Sequence, residues 1–146
     1  MTEVDFHFNA PDKQAYACRL LRKAYLKGAR LVVVTDPDSL ASLDAALWTF
    51  AADAFLPHSR EGDPPHVEAR SPIRLYSAVP ADPDAGSAVL VNLRAAMPEG
   101  YEAYRRVIEV VSTDPRDREF ARPRWMYYRS AGIEPRRHDL QLAPQD

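Results

Sequence analysis

The sequence predicts an α/β fold, a Rossmann-like three-layer sandwich whose central sheet is mostly parallel, and two observations carry this prediction. The first half of the chain shows the patterns of a strand, a helix, a strand and a helix in turn. That order favours parallel strands joined by right-handed crossovers. Residues Leu31–Val34 form a continuous, mostly β-branched apolar run, which is typical of a strand covered by helices on both faces.

The elements of the first half follow from periodicity and from the residues that punctuate it. Residues 4–8 alternate apolar and polar side chains, which predicts the first strand. Residues 13–27 then repeat apolar side chains at helical spacing, and Gly28 follows as a suitable end. The pair Asp36-Pro37 predicts the start of the next helix. The apolar face of that helix consists of Leu40, Leu43, Leu47 and Trp48.

The second half of the chain predicts further strands and one long helix. Strands are predicted at 73–77, 88–93 and 107–111, polar loops at 59–65 and 80–87, and a short helix at 97–103. Asp114-Pro115 predicts a helix that runs from Pro115 to Ala131 and stops at Gly132. Pro123 removes an amide inside this helix and is expected to kink or interrupt it. We expect residues 1–140 to form a single domain and 141–146 a loose tail.

Charge and composition limit the class of function. The chain has 146 residues, a net charge of −2 and a pI near 6.1, so the whole molecule is not a polyanion binder. Residues 1–100 carry 10 Lys+Arg and 13 Asp+Glu, whereas residues 101–137 carry 9 Arg and 6 Asp+Glu. The later segment therefore attracts anions locally. The N-terminal residues lack the pattern of a signal peptide, and no apolar run approaches the ~18 residues of a membrane span, so we expect a cytoplasmic protein.

A search for a nucleotide site finds no phosphate-binding loop. The turn after the first strand is Asn9-Ala10-Pro11-Asp12, which has no glycine and places an acid where a phosphate would lie. The turn after the second strand, residues 35–38, is equally acidic. The chain has only five glycines and no Gly-x-x-x-x-Gly-Lys-Ser/Thr sequence. We expect no nucleotide and no other cofactor.

The residues that could support catalysis or bind a metal have simpler structural interpretations. The four histidines, His7, His58, His66 and His138, show no metal-ligand spacing. His58 and His66 flank a polar loop and are interpreted as surface or turn residues. Asp36 and Asp38 are interpreted as helix-capping residues, and the only cysteine, Cys18, as a small buried hydrophobe. We therefore expect no metal site and no enzymatic activity.

A first candidate binding surface lies after the second helix. Leu47 and Phe50 serve the core by helical spacing, and Trp48 cannot point the same way as both. Phe55 and Pro57 follow in a non-helical stretch. A large aromatic side chain at a helix end, next to Phe and Pro in a loop, is typical of an interface anchor. The alternative is that Trp48 closes the rim of the core.

A second candidate surface lies on the last helix. Arg118, Arg122 and Trp125 are spaced i, i+4 and i+7, so they share one face, and Met126 adjoins it. Two guanidinium groups beside an indole and a thioether suit a ligand with carboxylates and an aromatic side chain. Two alternatives remain open. The helix is either a solvated one whose arginines pair with Asp114, Asp117 and Glu119, or a surface for nucleic acid, because arginines and aromatic residues interleave there.

At these two stretches the sequence resembles the chi subunit family of bacterial DNA polymerase III holoenzyme, with similar length and element order over nearly the whole chain. The matching pieces are Leu43-Asp44-x-Ala46-Leu47-Trp48 with Phe55-x-Pro57-His58, and Ala121-Arg122-x-Arg124-Trp125-x-x-Tyr128-Arg129-x-Ala131-Gly132. The resemblance implies a Rossmann-like domain without nucleotide chemistry. It also implies a non-catalytic accessory subunit that is linked through psi to the clamp loader and itself binds single-stranded DNA-binding protein (SSB), with polymerase activity in another subunit.

The resemblance also implies a role for individual residues. Trp48, Phe55 and Pro57 would face psi or, as in some family members, a helicase of the XPD/DinG type. The acidic, Phe-terminated tail of SSB would bind the last helix. The residues implied for that tail site are Arg118, Arg122, the aromatic wall Trp125, the pocket floor Val111, and Met126. Met126 stands where the family has a second basic residue, and Arg124 or Arg116 is expected to compensate. The alternative function is direct binding of single-stranded DNA by the arginine-rich helix.

Overall fold

The computed structural model describes residues 2–50, 55–82 and 84–141. The helices are α1 (Lys13–Leu26), α2 (Pro37–Thr49), α3 (Pro65–Arg70) and α4 (Pro115–Ser130), and short 3₁₀ turns lie at Ala85–Ser87 and Tyr101–Ala103. The strands are β1 (Glu3–Ala10), β2 (Arg30–Val34), β3 (His58–Arg60), β4 (Ile73–Tyr76), β5 (Ala88–Asn92), β6 (Arg106–Ser112) and β7 (Arg136–Asp139). Of the predicted tail 141–146, all but Gln141 lies outside the described residues.

The strands form one sheet in the order β3-β4-β2-β5-β6-β1-β7, and every pair in it is parallel. The predicted α/β fold with a mostly parallel sheet is therefore confirmed. The run Leu31–Val34 lies in β2, between β4 and β5, where both of its faces are buried. No helix in the described ranges is both long and apolar enough to cross a membrane.

Alternating side chains in the strands divide the core between two layers. Leu31 and Val33 face the layer that contains α1 and α2, and Val32 and Val34 face the layer that contains α4. The Cys18 thiol lies in the first layer, where burial raises its pKa to about 11, as expected of an inert buried cysteine. The two candidate surfaces are therefore on opposite sides of the sheet, because one lies at the end of α2 and the other on α4.

Helix starts agree only in part with the predicted capping. The carboxylates of Asp12 and Asp114 accept hydrogen bonds from the amides of Ala15 and Arg116, as N-caps do. Asp36 precedes α2, but its side chain makes no capping bond, and its backbone carbonyl accepts from Ser39 instead. The prediction of a side-chain cap is therefore wrong for Asp36.

Several predicted elements differ in the structure. Helix α4 runs without interruption through Pro123, which lies on the exposed side of the helix. The expected short helix at 97–103 is only a 3₁₀ turn at its end. The predicted polar loop at 59–65 contains most of β3, and α3 starts where it ends. Strand β3 is an edge strand of three residues, too short to show a periodic pattern.

Strand β7 was not predicted, because its sequence Arg-Arg-His-Asp has no apolar residue. It pairs with β1 and is held by the buried carboxylate of Asp5. Asp5 accepts hydrogen bonds from Arg136 Nε at 2.7 Å and from His138 Nε2 at 3.0 Å. Burial alone would raise the pKa of Asp5, but these bonds and the nearby guanidinium groups outweigh it and lower the pKa. An ionic contact thus takes the place of an apolar face in this strand.

Candidate partner-binding surfaces

The first surface, called the Trp48 surface, consists of Trp48, Phe55 and Pro57. Trp48 is the penultimate residue of α2. It lies at the margin of the apolar stripe of that helix, because Leu43 and Leu47 point toward the sheet. The side chains of Trp48 and Phe55 are 47% and 70% exposed, and their ring centroids are 5.6 Å apart. The structure therefore favours an anchor over a rim residue that is closed into the core.

A buried histidine lies beneath the Trp48 surface. His58 opens β3, and its imidazole is 0% exposed. Its Nδ1 lies 2.7 Å from the carbonyl oxygen of Leu56, and its Nε2 lies 2.9 Å from Asp44 Oδ1. The expectation that His58 is a surface or turn histidine is wrong, because the ring closes the space between α2 and the edge of the sheet.

The second surface, called the α4 surface, consists of Arg118, Arg122, Trp125 and Met126. It lies on one flank of α4, beside the face that Ala121 and Tyr128 turn to the sheet. Both arginines are exposed, Trp125 is half-buried, and Met126 is 61% exposed. The prediction that these residues share one side of the helix is therefore confirmed, and on that side the arginines lie next to the indole and the thioether.

Neither Arg118 nor Arg122 has a carboxylate within ion-pair distance in the described ranges. Two of the acids expected to neutralise them have other partners. Asp114 accepts from the Arg116 amide, and Asp117 accepts from Lys13 Nζ at 3.2 Å and from the Ser112 amide at 2.7 Å. The interpretation of α4 as a solvated helix of paired charges is therefore wrong for these two arginines.

Trp125 is supported by a residue that sequence reasoning missed. The rings of Phe6 and Trp125 meet edge to face, with centroids 5.1 Å apart, and Phe6 makes a similar contact with Tyr128 at 5.9 Å. Phe6 comes from β1, where alternation turns Val4 and Phe6 toward α4. That alternation was visible in the sequence, but it does not tell which helix covers the strand. The indole is thus fixed from below and open on its outer side.

Val111 and Arg124 lie inside the domain. Val111 is buried in the cluster against which Trp125 packs, a position suited to the floor of a site on α4. Arg124 is 2% exposed. Its Nε donates to Glu109 Oε1 at 3.0 Å and its Nη1 donates to the Ala95 carbonyl at 2.8 Å. Arg124 therefore cannot compensate at the surface for the cation missing at Met126, and Arg116 lies on the opposite flank of α4, so that expectation is wrong for both arginines.

The partner of Arg124 is a fully buried carboxylate. Glu109 also accepts from Tyr128 Oη at 2.7 Å and from Asn92 Nδ2 at 2.9 Å. Burial raises the pKa of Glu109, and the adjacent Arg124 guanidinium opposes that rise. This network fixes the sheet-facing side of α4. The spacing of Ala121, Arg124 and Tyr128 places all three on one helix face, and this was the signal that could have shown Arg124 pointing inward.

A further cation extends the α4 surface. Arg129 follows Trp125 by four residues, so it lies on the same flank. Its Nε is 4.0 Å from Glu134 Oε1, and both side chains are more than half exposed, so this pair is weak. The flank can therefore present guanidinium groups on both sides of the indole to an anionic ligand.

Comparison with known proteins gives two kinds of match. A family model described as DNA polymerase III chi subunit, HolC, matches residues 1–136. A DNA polymerase III subunit chi from Pseudomonas aeruginosa is 32% identical over 145 residues, which cover 96% of this chain and 98% of that protein. A DNA polymerase III subunit chi from Escherichia coli is 27% identical over 121 residues, which cover 80% of this chain and 78% of that protein.

Proposed function

The chain belongs to the DNA polymerase III chi subunit family, and from that premise we propose that it is a non-catalytic adaptor of the replication machinery. In this proposal the Trp48 surface binds the psi subunit of the clamp loader, and the α4 surface binds the acidic C-terminal tail of SSB. The protein then works in the cytoplasm, at the replisome. It contacts DNA only through its partners.

The observation that carries the proposal is that Arg118 and Arg122, exposed beside Trp125, have no carboxylate partner in the part of the chain that the structure describes. A guanidinium group binds a carboxylate through two parallel hydrogen bonds, and an acidic peptide supplies carboxylates in series. The open side of the indole and the exposed thioether of Met126 offer apolar contact to an aromatic side chain at the end of such a peptide. This combination suits a negatively charged tail that ends in phenylalanine.

The Trp48 surface supports the second half of the proposal. Exposed rings at the end of α2 form an apolar patch, and Asp44 and Arg60, at its margin, lie 3.8 Å from each other. Aromatic anchors of this kind carry most of the binding energy in protein interfaces. We assign psi to this patch. A helicase of the XPD/DinG type would compete for it, because both would need the same exposed rings.

The direct test is the binding of a fluorescent peptide with the sequence of the SSB tail, measured by anisotropy. We expect a micromolar Kd, equivalent to about −8 kcal/mol. Removal of the terminal Phe should abolish binding, and added salt should weaken it, because the attraction is partly ionic. Arg116→Ala is the matched control, since Arg116 is exposed on the opposite flank of α4 and should leave Kd unchanged. Equal binding of the truncated peptide would refute the tail site.

Direct binding of single-stranded DNA is the second candidate function. It is favoured by Phe120 and Tyr127, which are 47% and 49% exposed on α4 between its arginines. A gel shift with bare single-stranded DNA, in the absence of SSB, separates the two proposals. The adaptor predicts no shift, whereas a DNA-binding helix predicts an affinity that falls steeply with salt.

A further inference from the structure

The histidine under the Trp48 surface is held in an unusual chemical state by its neighbours. The Leu56 carbonyl oxygen faces Nδ1 and the Asp44 carboxylate faces Nε2, at 2.7 and 2.9 Å. A carbonyl oxygen and a carboxylate can only accept hydrogen bonds. Both ring nitrogens of His58 must therefore donate at once, which a neutral imidazole cannot do. With Asp44 ionised, this geometry fits the doubly protonated, positively charged ring.

The charged ring lies directly against the indole of Trp48. Their centroids are 4.1 Å apart, with 43° between the ring planes. A cation within about 6 Å of an indole centroid is attracted by its π-electrons, and the attraction grows when the cation is shielded from water. His58 is fully shielded. One side of the indole is thereby fixed, and the other side remains exposed beside Phe55.

We propose that His58, as an imidazolium held by Asp44 and the Leu56 carbonyl, is the residue that positions Trp48 for partner binding. The binding strength of the Trp48 surface then falls as the pH rises and the ring loses its proton. This inference deepens the proposed function, since it concerns the surface assigned above to psi. It makes His58 a positioning residue, because the ring is buried and acts on the partner only through the indole.

The charged groups around His58 agree with this assignment. From α2, Asp44 contributes the negative charge, and from β3 itself, Arg60 Nη1 approaches Asp44 Oδ2 at 3.8 Å. Helix α3 also packs against β3, but its Glu68 accepts a hydrogen bond from Tyr76 Oη and is engaged there. Among the described residues, Asp44 is therefore the acid that balances the charge of His58.

The experiment first follows Trp48 itself, without any partner. The chain has two tryptophans, so a Trp125→Phe background leaves Trp48 as the sole emitter. An imidazolium in contact with an indole quenches its fluorescence. In a titration from about pH 6 to about pH 9, the emission should rise as the ring loses its proton. ¹⁵N NMR of the ring should show both nitrogens of His58 protonated at the low end of this range.

Three variants separate the charge of His58 from a merely structural role. Asp44→Asn keeps an acceptor but removes the negative charge, so the midpoint of the emission change should move to lower pH. His58→Gln should abolish the change, and His66→Gln, which alters an exposed histidine of α3, should leave it intact. Affinity for psi should fall about threefold to tenfold across the same pH range, the scale of a cation–π contact.

The outcomes distinguish this inference from the proposed function. Emission that does not change with pH, or a single protonated nitrogen at low pH, overturns the positioning role of His58. Psi that binds Trp48 with an affinity independent of pH overturns it as well, but leaves the adaptor function standing. If emission titrates and shifts with Asp44→Asn while psi binds at no pH, the positioning of Trp48 by His58 is supported and the assignment to psi fails.

Discussion

The two tryptophans of this chain mark surfaces of opposite design on opposite sides of one sheet. Trp48 lies against the buried imidazole of His58, which contacts Asp44, and the exposed ring beside it is that of Phe55. Trp125 lies on the apolar ring of Phe6, beside Arg118 and Arg122, which have no carboxylate within ion-pair distance among the described residues. The two indoles therefore differ in their polar neighbours, with an imidazole beneath Trp48 and exposed guanidinium groups beside Trp125.

The largest expected effect comes from removing the support beneath the α4 surface. Arg124→Ala leaves Glu109 buried without its cation, which should lower the free energy of unfolding by about 3–5 kcal/mol. Urea denaturation measures this change. Arg122→Ala is the matched control, because Arg122 is exposed and its loss should change stability by less than about 0.5 kcal/mol. Equal stability of the two variants would show that the buried network does not hold α4.

The next effect separates the two surfaces by partner. Trp48→Ala should weaken binding of psi by about 2–4 kcal/mol, as expected for a central aromatic anchor. Affinity for the SSB tail peptide should not change, since the two surfaces lie in different layers. Titration calorimetry with each partner measures both values. A loss of tail binding in this variant would contradict the separation of the surfaces.

A smaller effect is expected for a surface cation. Arg122→Ala should weaken tail binding by about 1.5–3 kcal/mol, the scale of a hydrogen bond between charged groups. Binding of psi should be unaffected. Anisotropy with the tail peptide gives the first value and calorimetry with psi the second. An unchanged Kd for the tail would remove Arg122 from the α4 surface.

The smallest effect concerns the start of α4. Burial raises the pKa of Asp117, but the Ser112 amide and the Lys13 ammonium group outweigh it, so the net pKa is lowered. The stability that Asp117 contributes is therefore present above about pH 4 and is lost as the pH falls through its lowered pKa. Asp117→Asn should be less stable at neutral pH, and the gap should close in acid.

Acid unfolding of the Asp117→Asn protein, followed by circular dichroism, measures this gap. When the free energy of unfolding is plotted against pH, the slopes for the two proteins should differ by the equivalent of less than one bound proton. A gap that stays constant below about pH 4 would mean that the charge of Asp117 does not stabilise the fold.

How much was predictable depended on whether a segment is held by apolar side chains or by polar ones. Strand β2 and helices α1 and α2 were predicted because their apolar residues repeat with the period of the element. Strand β7 was missed because its contacts are ionic, with Asp5 as the centre. Hydrophobic periodicity indicates where apolar surface is buried, so it cannot reveal a strand whose contacts are ionic.

The candidate sites show the same division. Helical spacing was enough to bring Arg118, Arg122 and Trp125 onto one flank, and loop position was enough to expose Phe55. The charge or polarity of a side chain predicted exposure wrongly where that side chain is buried together with its hydrogen-bond partners. Arg124 and His58 both have an inward position that only tertiary contacts reveal, since each of their partners is distant in the sequence or belongs to the backbone.

The two outermost strands of the sheet, β3 and β7, are three and four residues long and are almost wholly polar or charged. Short, charged edges are poor templates for a strand from another molecule, because they offer few free amides and repel an incoming apolar segment. A chain with Trp48 and Phe55 exposed to water is thus protected from amyloid-like growth at these two edges. At high concentration in the cell, reversible association through those rings would then be favoured over irreversible polymerisation of the sheet.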